Sequence, residues 1–282
     1  MVEHFSSPPG WTWFIALYFF LAGIAGGSYV LATIMRLRGS PQDEPIARIG
    51  FLIPLPLVAI CALFLTLDLG KRLLFWHMLI NTTPGGLGLN FKSGSPMSVG
   101  VWALSIFGIF ALVSFLESVG RLRRVSPSVC VVGSLFALYL ASYTGVLLSV
   151  SNEPVWSDTW ALGGLFLASG LSGSAALLIW LGRYVHSAPQ TEARLGRADG
   201  YFVLLELLFI IAFFATIGAA GTIGRTLSGG WLVLWILVLA SFLPELRAFF
   251  AHREGRLSIV VPVVVLLGVL LLRLVVVFSA QA

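Results

Sequence analysis

Eight apolar runs, each long enough to cross a bilayer as a helix, constrain this chain more than any other feature. A membrane-spanning helix needs about 20 mostly apolar residues. The runs lie at 12–35, 50–70, 97–119, 128–150, 157–182, 200–221, 230–250 and 258–280. Only 10% of the residues are charged, where a soluble domain has about 25%. We therefore predict an all-α integral membrane protein with eight transmembrane helices.

The basic residues between the runs lie mostly on one side of the predicted membrane. Basic residues accumulate in cytoplasmic loops, so we predict that the arginine-rich loops are cytoplasmic and that both termini are extracytoplasmic. The same rule explains the net charge of +5, so the charge does not indicate a nucleic-acid partner. We expect the chain to be surrounded by membrane lipid. The arginines on the predicted cytoplasmic side are Arg36, Arg38, Arg48, Arg121, Arg123, Arg124, Arg183, Arg194, Arg197, Arg247, Arg253 and Arg256.

Two similar segments, 146 positions apart, indicate an internal repeat. FLAGIAGGSYVL at 20–31 aligns with FLASGLSGSAAL at 166–177. Four spans in each half give both halves the same direction in the membrane, so the repeat is parallel rather than inverted. We predict two four-helix bundles related by this repeat, one in residues 1–150 and one in 151–282.

Three glycines interrupt the first apolar run. Gly23, Gly26 and Gly27 are spaced at i, i+3 and i+4 and therefore share one face of a helix. Small residues at this spacing let another helix backbone approach closely. We expect these glycines to be packing residues.

The sequence does not predict a metal centre inside this chain. Cys61 and Cys130 are its only cysteines and lie far apart in sequence, too few to ligate an iron–sulfur cluster. The four histidines lie in the N-terminal tail or in or beside loops. No span offers the central pair of ligands that a membrane haem needs. Any electrons that this chain handles therefore require an external carrier.

Ionisable residues inside apolar runs are costly, and they indicate function by default. Glu206 has no basic residue near it in sequence, which makes it a candidate proton carrier. Arg273 either extends to the outer surface or pairs with Asp68, which the topology places at a similar depth. Asp68 also has possible local partners in Lys71 and Arg72, three and four residues later.

Two tyrosines are predicted to lie inside the outer half of the membrane. A buried phenol needs a hydrogen-bond partner, and Tyr18 and Tyr143 therefore indicate a polar site, with Thr144 beside it. Polar groups at one depth among apolar walls are typical of a site for an amphipathic small molecule. Four tryptophans near the outer ends of spans are instead expected in an aromatic belt. They are Trp11, Trp13, Trp156 and Trp160.

At these positions the sequence resembles the NrfD/PsrC-like family of integral membrane subunits of quinone-linked oxidoreductases. The matching pieces are YFFLAGIAGGSYV, LDLGKRLLFW, SPMSVGVW, YTGVLLSVSNEPVW, the Glu206 region and LLLRLVVVFSAQ, which run from the first span to the last. The chain departs from the family pattern at Lys71-Arg72, where Arg-Pro is common. It departs again at Ala280-Gln281, where the pattern has Gly-Gln.

The resemblance implies a site for menaquinone or ubiquinone near the outer surface of a protein without haem. It implies that Tyr143 and Tyr18 contact the quinone, and it leaves open which of Lys71 and Arg72 takes the role of the motif's basic residue. Asp68 and Tyr143 are the expected chemical groups, and Glu206 is expected on a proton path. The expected binding residues are Tyr18, Asp68, Arg72, Tyr143, Thr144 and Arg273.

The resemblance also implies partners on the extracytoplasmic face of a bacterial inner membrane. These are an iron–sulfur subunit of the four-cluster ferredoxin type and, beyond it, a molybdopterin or other catalytic subunit. The loop at 71–96, which mixes basic, aromatic and glycine residues, is the expected docking surface.

The sequence also leaves two alternative functions open. A secondary transporter would equally explain parallel repeats and intramembrane carboxylates, and a passive membrane anchor would only tether its partner.

Overall fold

Eight membrane-length helical segments dominate the protein. The computed structural model describes residues 10–82, 88–185, 187–251 and 258–281. Within these ranges, eight segments are long and apolar enough to cross a membrane, so the prediction of eight spans is confirmed. They are Trp13–Arg38, Glu44–Asp68, Pro96–Ser118, Pro127–Ser149, Leu162–Val185, Pro189–Ala220, Trp231–Phe250 and Val260–Gln281.

The helices are numbered in chain order. They are α1 (Trp13–Arg38), α2 (Glu44–Leu52), α3 (Pro54–Asp68), α4 (Pro96–Ser118), α5 (Pro127–Ser149), α6 (Leu162–Gly182), α7 (Pro189–Ala220), α8 (Ile223–Leu227), α9 (Trp231–Ser241), α10 (Leu243–Phe250) and α11 (Val260–Gln281). Two spans are interrupted where a proline, which lacks a backbone N–H, begins the next helix. One break lies at Ile53 before Pro54, and the other lies at Phe242 before Pro244.

The connection between α3 and α4 has structure of its own. A 3₁₀ helix covers Arg72–Met78, and two short antiparallel strands follow, β1 (Ile80–Asn81) and β2 (Gly88–Leu89). Ile80 pairs with Leu89. The predicted docking loop is therefore folded back on itself outside the spans.

Two spans begin earlier than the apolar runs suggest. The second starts at Glu44 rather than near 50, and the sixth starts at Pro189 rather than near 200. In both cases the helix continues through polar and charged residues before the apolar stretch. The apolar run marks the part of a helix that lies in lipid, whereas backbone hydrogen bonds define the whole helix. The ends of the apolar run and the ends of the helix therefore need not coincide.

Helices α1 and α6 form the centre of the protein. Of their most apolar stretches, 78% and 83% of the residues are buried, against 28% for Pro189–Ala220. A Cβ added to Gly170 of α6 would lie 3.0 Å from the Cα of Gly23, and one added to Gly26 would lie 2.6 Å from the carbonyl oxygen of Ala137. The prediction that these glycines are packing residues is confirmed.

The order of neighbouring helices follows the order of the chain in each half. In the first half α1 packs on α3, α3 on α4, α4 on α5 and α5 on α1. In the second half α6 packs on α7, α7 on α10, α9 on α11 and α11 on α6, while α6 joins the halves through α1 and α5. This order is compatible with two four-helix bundles. The parallel repeat, the division at residue 150 and the side of the termini stay predictions.

Candidate functional site

A cavity of about 170 Å³ lies between α1, α3, α4 and α5 in the first half. Tyr18, Asp68 and Tyr143 line it together, although they are far apart in sequence. Apart from Gly100, the rest of the lining is apolar or aromatic and includes Trp11. The structure therefore brings three of the predicted binding residues to one apolar-walled site.

Tyr18 offers a hydroxyl that the protein does not use. The side chain is 3% exposed, and its hydroxyl forms no hydrogen bond with any described residue. The Cys61 thiol lies 3.8 Å from the Tyr18 backbone carbonyl oxygen, to which it donates. Because a buried phenol without a partner is unfavourable, Tyr18 presents a hydrogen-bond donor that a ligand in the cavity can use.

Tyr143 is held firmly in place. Its hydroxyl donates to the carbonyl oxygen of Pro96, 2.5 Å away at the start of α4. A Cβ on Gly100, one turn further along α4, would overlap the Tyr143 ring. The oxygen keeps lone pairs that can accept a hydrogen bond. In this arrangement Tyr143 can act as an acceptor for a ligand.

Asp68 ends α3 at the partly exposed side of the cavity. Its Oδ1 accepts a hydrogen bond from the hydroxyl of Thr12 at 2.9 Å. Within the described part of the chain neither Lys71 nor Arg72 forms an ion pair with Asp68, so the expected local pairing is wrong. Asp68 is partly exposed at this side of the cavity and bonded to Thr12.

Three predicted binding residues, Arg72, Thr144 and Arg273, do not line the cavity. Arg72 is exposed, and its Nε donates to the backbone carbonyl of Leu67 at 3.1 Å. Thr144 is buried and donates to the carbonyl of Ala141 in its own helix at 2.9 Å. Consecutive residues of a helix point about 100° apart because a turn has 3.6 residues, and Thr144 is therefore turned away when Tyr143 faces the cavity.

One wall of the cavity is held by the second half of the protein. Trp11 lines the cavity and stacks on Trp156, with ring centroids 5.0 Å apart. Trp156 is fully buried and donates from Nε1 to the carbonyl of Val276 at 2.8 Å. Gln281 accepts from the backbone N–H of Trp11 at 2.7 Å. Helix α11 therefore positions this wall.

This role of the tryptophans was not predicted from the sequence. Trp13 and Trp160 are 61% and 69% exposed, as expected for an aromatic belt, but Trp156 is 0% exposed. The belt assignment is wrong for Trp156. A signal existed, because Trp156 closes the YTGVLLSVSNEPVW segment and Gln281 belongs to the C-terminal segment, both of which carried the family resemblance.

Arg273 lies apart from the cavity. It is fully buried on α11 and donates from one terminal nitrogen to the carbonyl of Phe166 at 2.8 Å. Its guanidinium carbon lies 3.9 Å from the centroid of the Phe166 ring. Arg273 therefore neither extends to the surface nor pairs with Asp68, and both arrangements that the sequence left open are wrong.

Glu206 is also fully buried, and neither carboxylate oxygen has a hydrogen-bond partner in the described ranges. Arg273 is the charged group that acts on it electrostatically. The sequence showed no basic residue near Glu206 because the two side chains are 67 positions apart on α7 and α11. The structure brings them into one neighbourhood.

Two further buried acids extend this neighbourhood. Asp199 lies two turns before Glu206 on α7, and Glu245 lies on α10, each 1% exposed. Asp199 interacts electrostatically with both other carboxyls. No group of three or more potential ligands among the described residues could hold a metal ion. Asp199 was not predicted from the sequence because it lies in the polar start of α7, ahead of the apolar run.

The folded loop between α3 and α4 lies at the mouth of the cavity. Met78, at the end of its 3₁₀ helix, lines the cavity. Several large apolar side chains of this loop are exposed, among them Leu73 at 88%, Leu89 at 75%, Phe91 at 56% and Phe75 at 52%. Exposed apolar patches of this kind mark interaction sites.

Comparison with known proteins gives a consistent result over the whole sequence. Residues 2–282 match the family described as polysulphide reductase, NrfD. Protein NrfD of Escherichia coli (strain K12) is 28% identical over 96% of this chain and 95% of that protein. The NrfD homolog of Haemophilus influenzae is 25% identical over 96% and 94%. A polysulfide reductase polypeptide of Wolinella succinogenes is 31% identical over 61% and 58%. This multi-pass membrane protein therefore belongs to the polysulphide reductase NrfD family.

Proposed function

We propose that this chain is the quinone-reactive membrane subunit of a multisubunit oxidoreductase in the bacterial inner membrane. It would exchange electrons between the menaquinone or ubiquinone pool and an extracytoplasmic iron–sulfur subunit of the four-cluster ferredoxin type. A molybdopterin or other catalytic subunit would lie beyond that partner. Family membership and the Wolinella succinogenes relative, named as one polypeptide of polysulfide reductase, support the role of a membrane subunit in an oxidoreductase complex.

The observation that carries the proposal is the cavity shared by Tyr18, Asp68 and Tyr143. A cavity of about 150 Å³ is known to hold a benzene ring, and the 170 Å³ here is therefore of the right size for one ring of a quinone. The apolar lining suits the ring, and the unpartnered Tyr18 hydroxyl suits a quinone carbonyl oxygen. A bound quinone would take up two electrons and two protons to become the quinol, and the quinol would release them when it is oxidised.

The side chains of the cavity divide the work of binding and proton exchange. Tyr18 donates a hydrogen bond to a carbonyl oxygen. Tyr143 accepts one from a quinol hydroxyl, while its own hydroxyl proton stays in the hydrogen bond to the Pro96 carbonyl oxygen. Asp68, at the partly exposed edge, passes protons between the cavity and water. Trp11 and the other apolar walls exclude bulk water from the ring.

The folded loop at the cavity mouth is the surface on which we place the iron–sulfur partner. Its exposed side chains Leu73, Phe75, Leu89 and Phe91 would be covered by that partner. Met78 belongs to the same loop and to the cavity lining. An electron carrier docked here would therefore lie close to the quinone ring, which favours electron transfer.

Glu206 is proposed to lie on a proton path from the cytoplasmic side. Asp199 and Glu206 lie on the same face of α7, two turns apart, and each is buried. Arg273 lies over the ring of Phe166. The centroid of that ring is 5.9 Å from the ring centroid of Phe19, which lines the cavity, so Arg273 is linked to the cavity wall through these two rings. A change of charge in the cavity would in this way influence Glu206.

The proposed topology has two four-helix bundles with both termini outside the cytoplasm. The distribution of arginines between the loops supports it. Cysteines introduced singly into the loops of a cysteine-free variant should react with an impermeant maleimide on intact cells only at extracytoplasmic positions. Labelling of Arg123→Cys from outside the cell would overturn this topology.

The test of the quinone site uses the purified complex and its quinol-linked turnover. Tyr18→Phe should lower the turnover about 3–10-fold, since a hydrogen bond is worth about 0.5–1.5 kcal/mol. Tyr201→Phe is the matched control, because Tyr201 is 64% exposed on α7 and does not line the cavity. Full turnover in Tyr18→Phe and Tyr143→Phe variants that assemble normally would favour a passive anchor. Solute transport without a bound iron–sulfur subunit or quinone would favour a transporter.

A further inference from the structure

A second cavity, of about 340 Å³, lies at the other end of the first half from the quinone cavity. Its lining includes Thr33, Arg36 and Leu37 of α1, Arg124 and Ser126 of the loop between α4 and α5, and Cys130 of α5. Arg36 is 18 residues from Tyr18 on α1, which separates the two cavities by about 27 Å along the helix axis. We propose that this cavity binds the phosphate headgroup of an anionic phospholipid.

The first observation is an unsatisfied nitrogen on a buried guanidinium. The Arg36 side chain is 7% exposed, and its two terminal nitrogens donate to Glu117 at 2.8 Å and to Glu44 at 3.2 Å. The Nε is buried and has no hydrogen-bond partner among the described residues. The Cys130 thiol, which interacts with the Arg36 side chain, is only a weak acceptor and cannot fully satisfy a guanidinium N–H. A buried donor of a charged group costs free energy when it stays unpaired, and a phosphate oxygen in the cavity would pair it.

The second observation is the charge around the cavity. Arg124 also lines it, and its guanidinium is 69% exposed and 3.6 Å from Glu44. Arg36 and Arg124 are balanced by Glu44 and Glu117, so any excess charge comes from the surroundings. Arg121 and Arg123 in the same loop and Arg38 and Arg48 nearby in sequence are all positive. The end of the bundle therefore attracts an anion rather than a cation.

The third observation distinguishes a phospholipid from a free phosphate ion. Apolar side chains beside the cavity are exposed on the lipid-facing surface, with Leu37 at 50%, Ile34 at 44% and Val131 at 41%. A phosphate in the cavity would place acyl chains along these residues. Basic pockets between transmembrane helices on the cytoplasmic side are known to bind anionic lipid headgroups, and the arginine pattern assigns this end to the cytoplasm.

The test measures lipid binding to the intact complex in nanodiscs that contain phosphatidylglycerol and phosphatidylcholine. Native mass spectrometry should show preferential retention of phosphatidylglycerol. Arg124→Gln should lower its affinity about fivefold, the effect of losing one hydrogen bond to the phosphate. Arg121→Gln removes the same charge from the same loop but from a residue that does not line the cavity, and should leave the affinity nearly unchanged. Arg36 is left intact because its loss would break two ion pairs.

Three results would overturn the proposal. Equal losses in the two variants would mean attraction to a diffuse surface charge, and equal retention of both lipids would mean that the headgroup is not recognised. Equal thermal stabilisation by inorganic phosphate alone would assign the cavity to a soluble anion. None of these measurements depends on quinol turnover, so failure here leaves the proposed quinone site untouched.

Discussion

The two halves of the protein handle polar groups in opposite ways. In the first half, the cavity collects Tyr18, Tyr143 and Asp68, of which Tyr143 and Asp68 are hydrogen-bonded and Asp68 reaches the partly exposed edge. In the second half, Glu206 and Arg273 are fully buried, and Glu206 lacks any hydrogen-bond partner in the described part of the chain.

This difference separates two kinds of site. A neutral, amphipathic ligand needs apolar walls and a few oriented hydroxyls, which the first half provides. Charges buried without hydrogen bonds are expensive and are maintained where a charge has to change or to compensate another. The first half is therefore suited to binding, and the second half is suited to responding to what is bound.

The largest effect should come from breaking the charged neighbourhood of the second half. Arg273→Met would leave Glu206 buried without a nearby positive charge and would remove the bond to the Phe166 carbonyl. The loss of a buried charged hydrogen-bond donor and of its contact with the Phe166 ring should cost about 2–4 kcal/mol. Thermal unfolding of the purified complex would measure the loss, with the half-exposed Arg225→Met as control. The double variant with Glu206→Gln should recover part of the stability, and no recovery would mean that the two residues act independently.

A smaller effect should follow from disturbing the contact between the halves. A Cβ on Gly27 would lie 2.8 Å from the carbonyl oxygen of Gly170 and closer still to Ser174, so Gly27→Ala should destabilise the protein by about 1–3 kcal/mol. Gly218 lies in an open part of α7, where a Cβ would meet no close neighbour. Gly218→Ala should therefore stabilise the protein by about 0.5–1 kcal/mol. Chemical or thermal unfolding would compare the two. Shifts of the same sign would contradict close packing at Gly27.

The wall contributed by α11 can be tested at the cavity itself. Trp156→Phe keeps an aromatic ring against Trp11 but loses the bond to the Val276 carbonyl, worth about 1 kcal/mol. The KM for quinol should rise about fivefold with a smaller change in kcat, because the wall is displaced rather than the reacting groups. The exposed Trp160→Phe is the control. Unchanged kinetics in Trp156→Phe would show that α11 does not tune the cavity.

The smallest effect concerns the loop between α5 and α6. Burial raises the pKa of the Glu153 carboxyl, partly opposed by Arg225 at 4.0 Å. The folded protein then holds the Glu153 proton more tightly than the unfolded chain, so stability falls as the pH rises through the carboxyl range. Glu153→Gln should remove this fall and give a flatter profile of melting temperature from about pH 4 to pH 7. An identical profile in both proteins would contradict the prediction.

The sequence allowed the spans and part of the site to be predicted, for physical reasons. Helix length and apolarity are local properties, so eight spans could be counted, and depth in the membrane follows from position within a span. Tyr18, Asp68 and Tyr143 were predicted near one depth, and the structure places them around one cavity. Depth does not give rotation about the helix axis, and Thr144 therefore could not be separated from Tyr143.

Long-range pairing was the part that could not be predicted. Glu206 and Arg273 are close enough to interact electrostatically because α7 and α11 both pack on α6. Nothing in the sequence of either helix indicates that the two helices share this neighbour. Trp156 was assigned to the lipid interface because its position near a span end is the same for a belt residue and a buried one. In both cases the missing information was which helices are neighbours.

The number of residues between the two cavities on helix α1 is constrained by its packing. It is confined between α5 and α6 at Gly26 and Gly27, and it bears Tyr18 at one cavity and Arg36 at the other. One inserted residue between Tyr18 and Arg36 would rotate one end by about 100° and shift it by about 1.5 Å. Relatives that use both cavities should therefore keep 17 residues between these positions, and insertions in the family should fall in the loops.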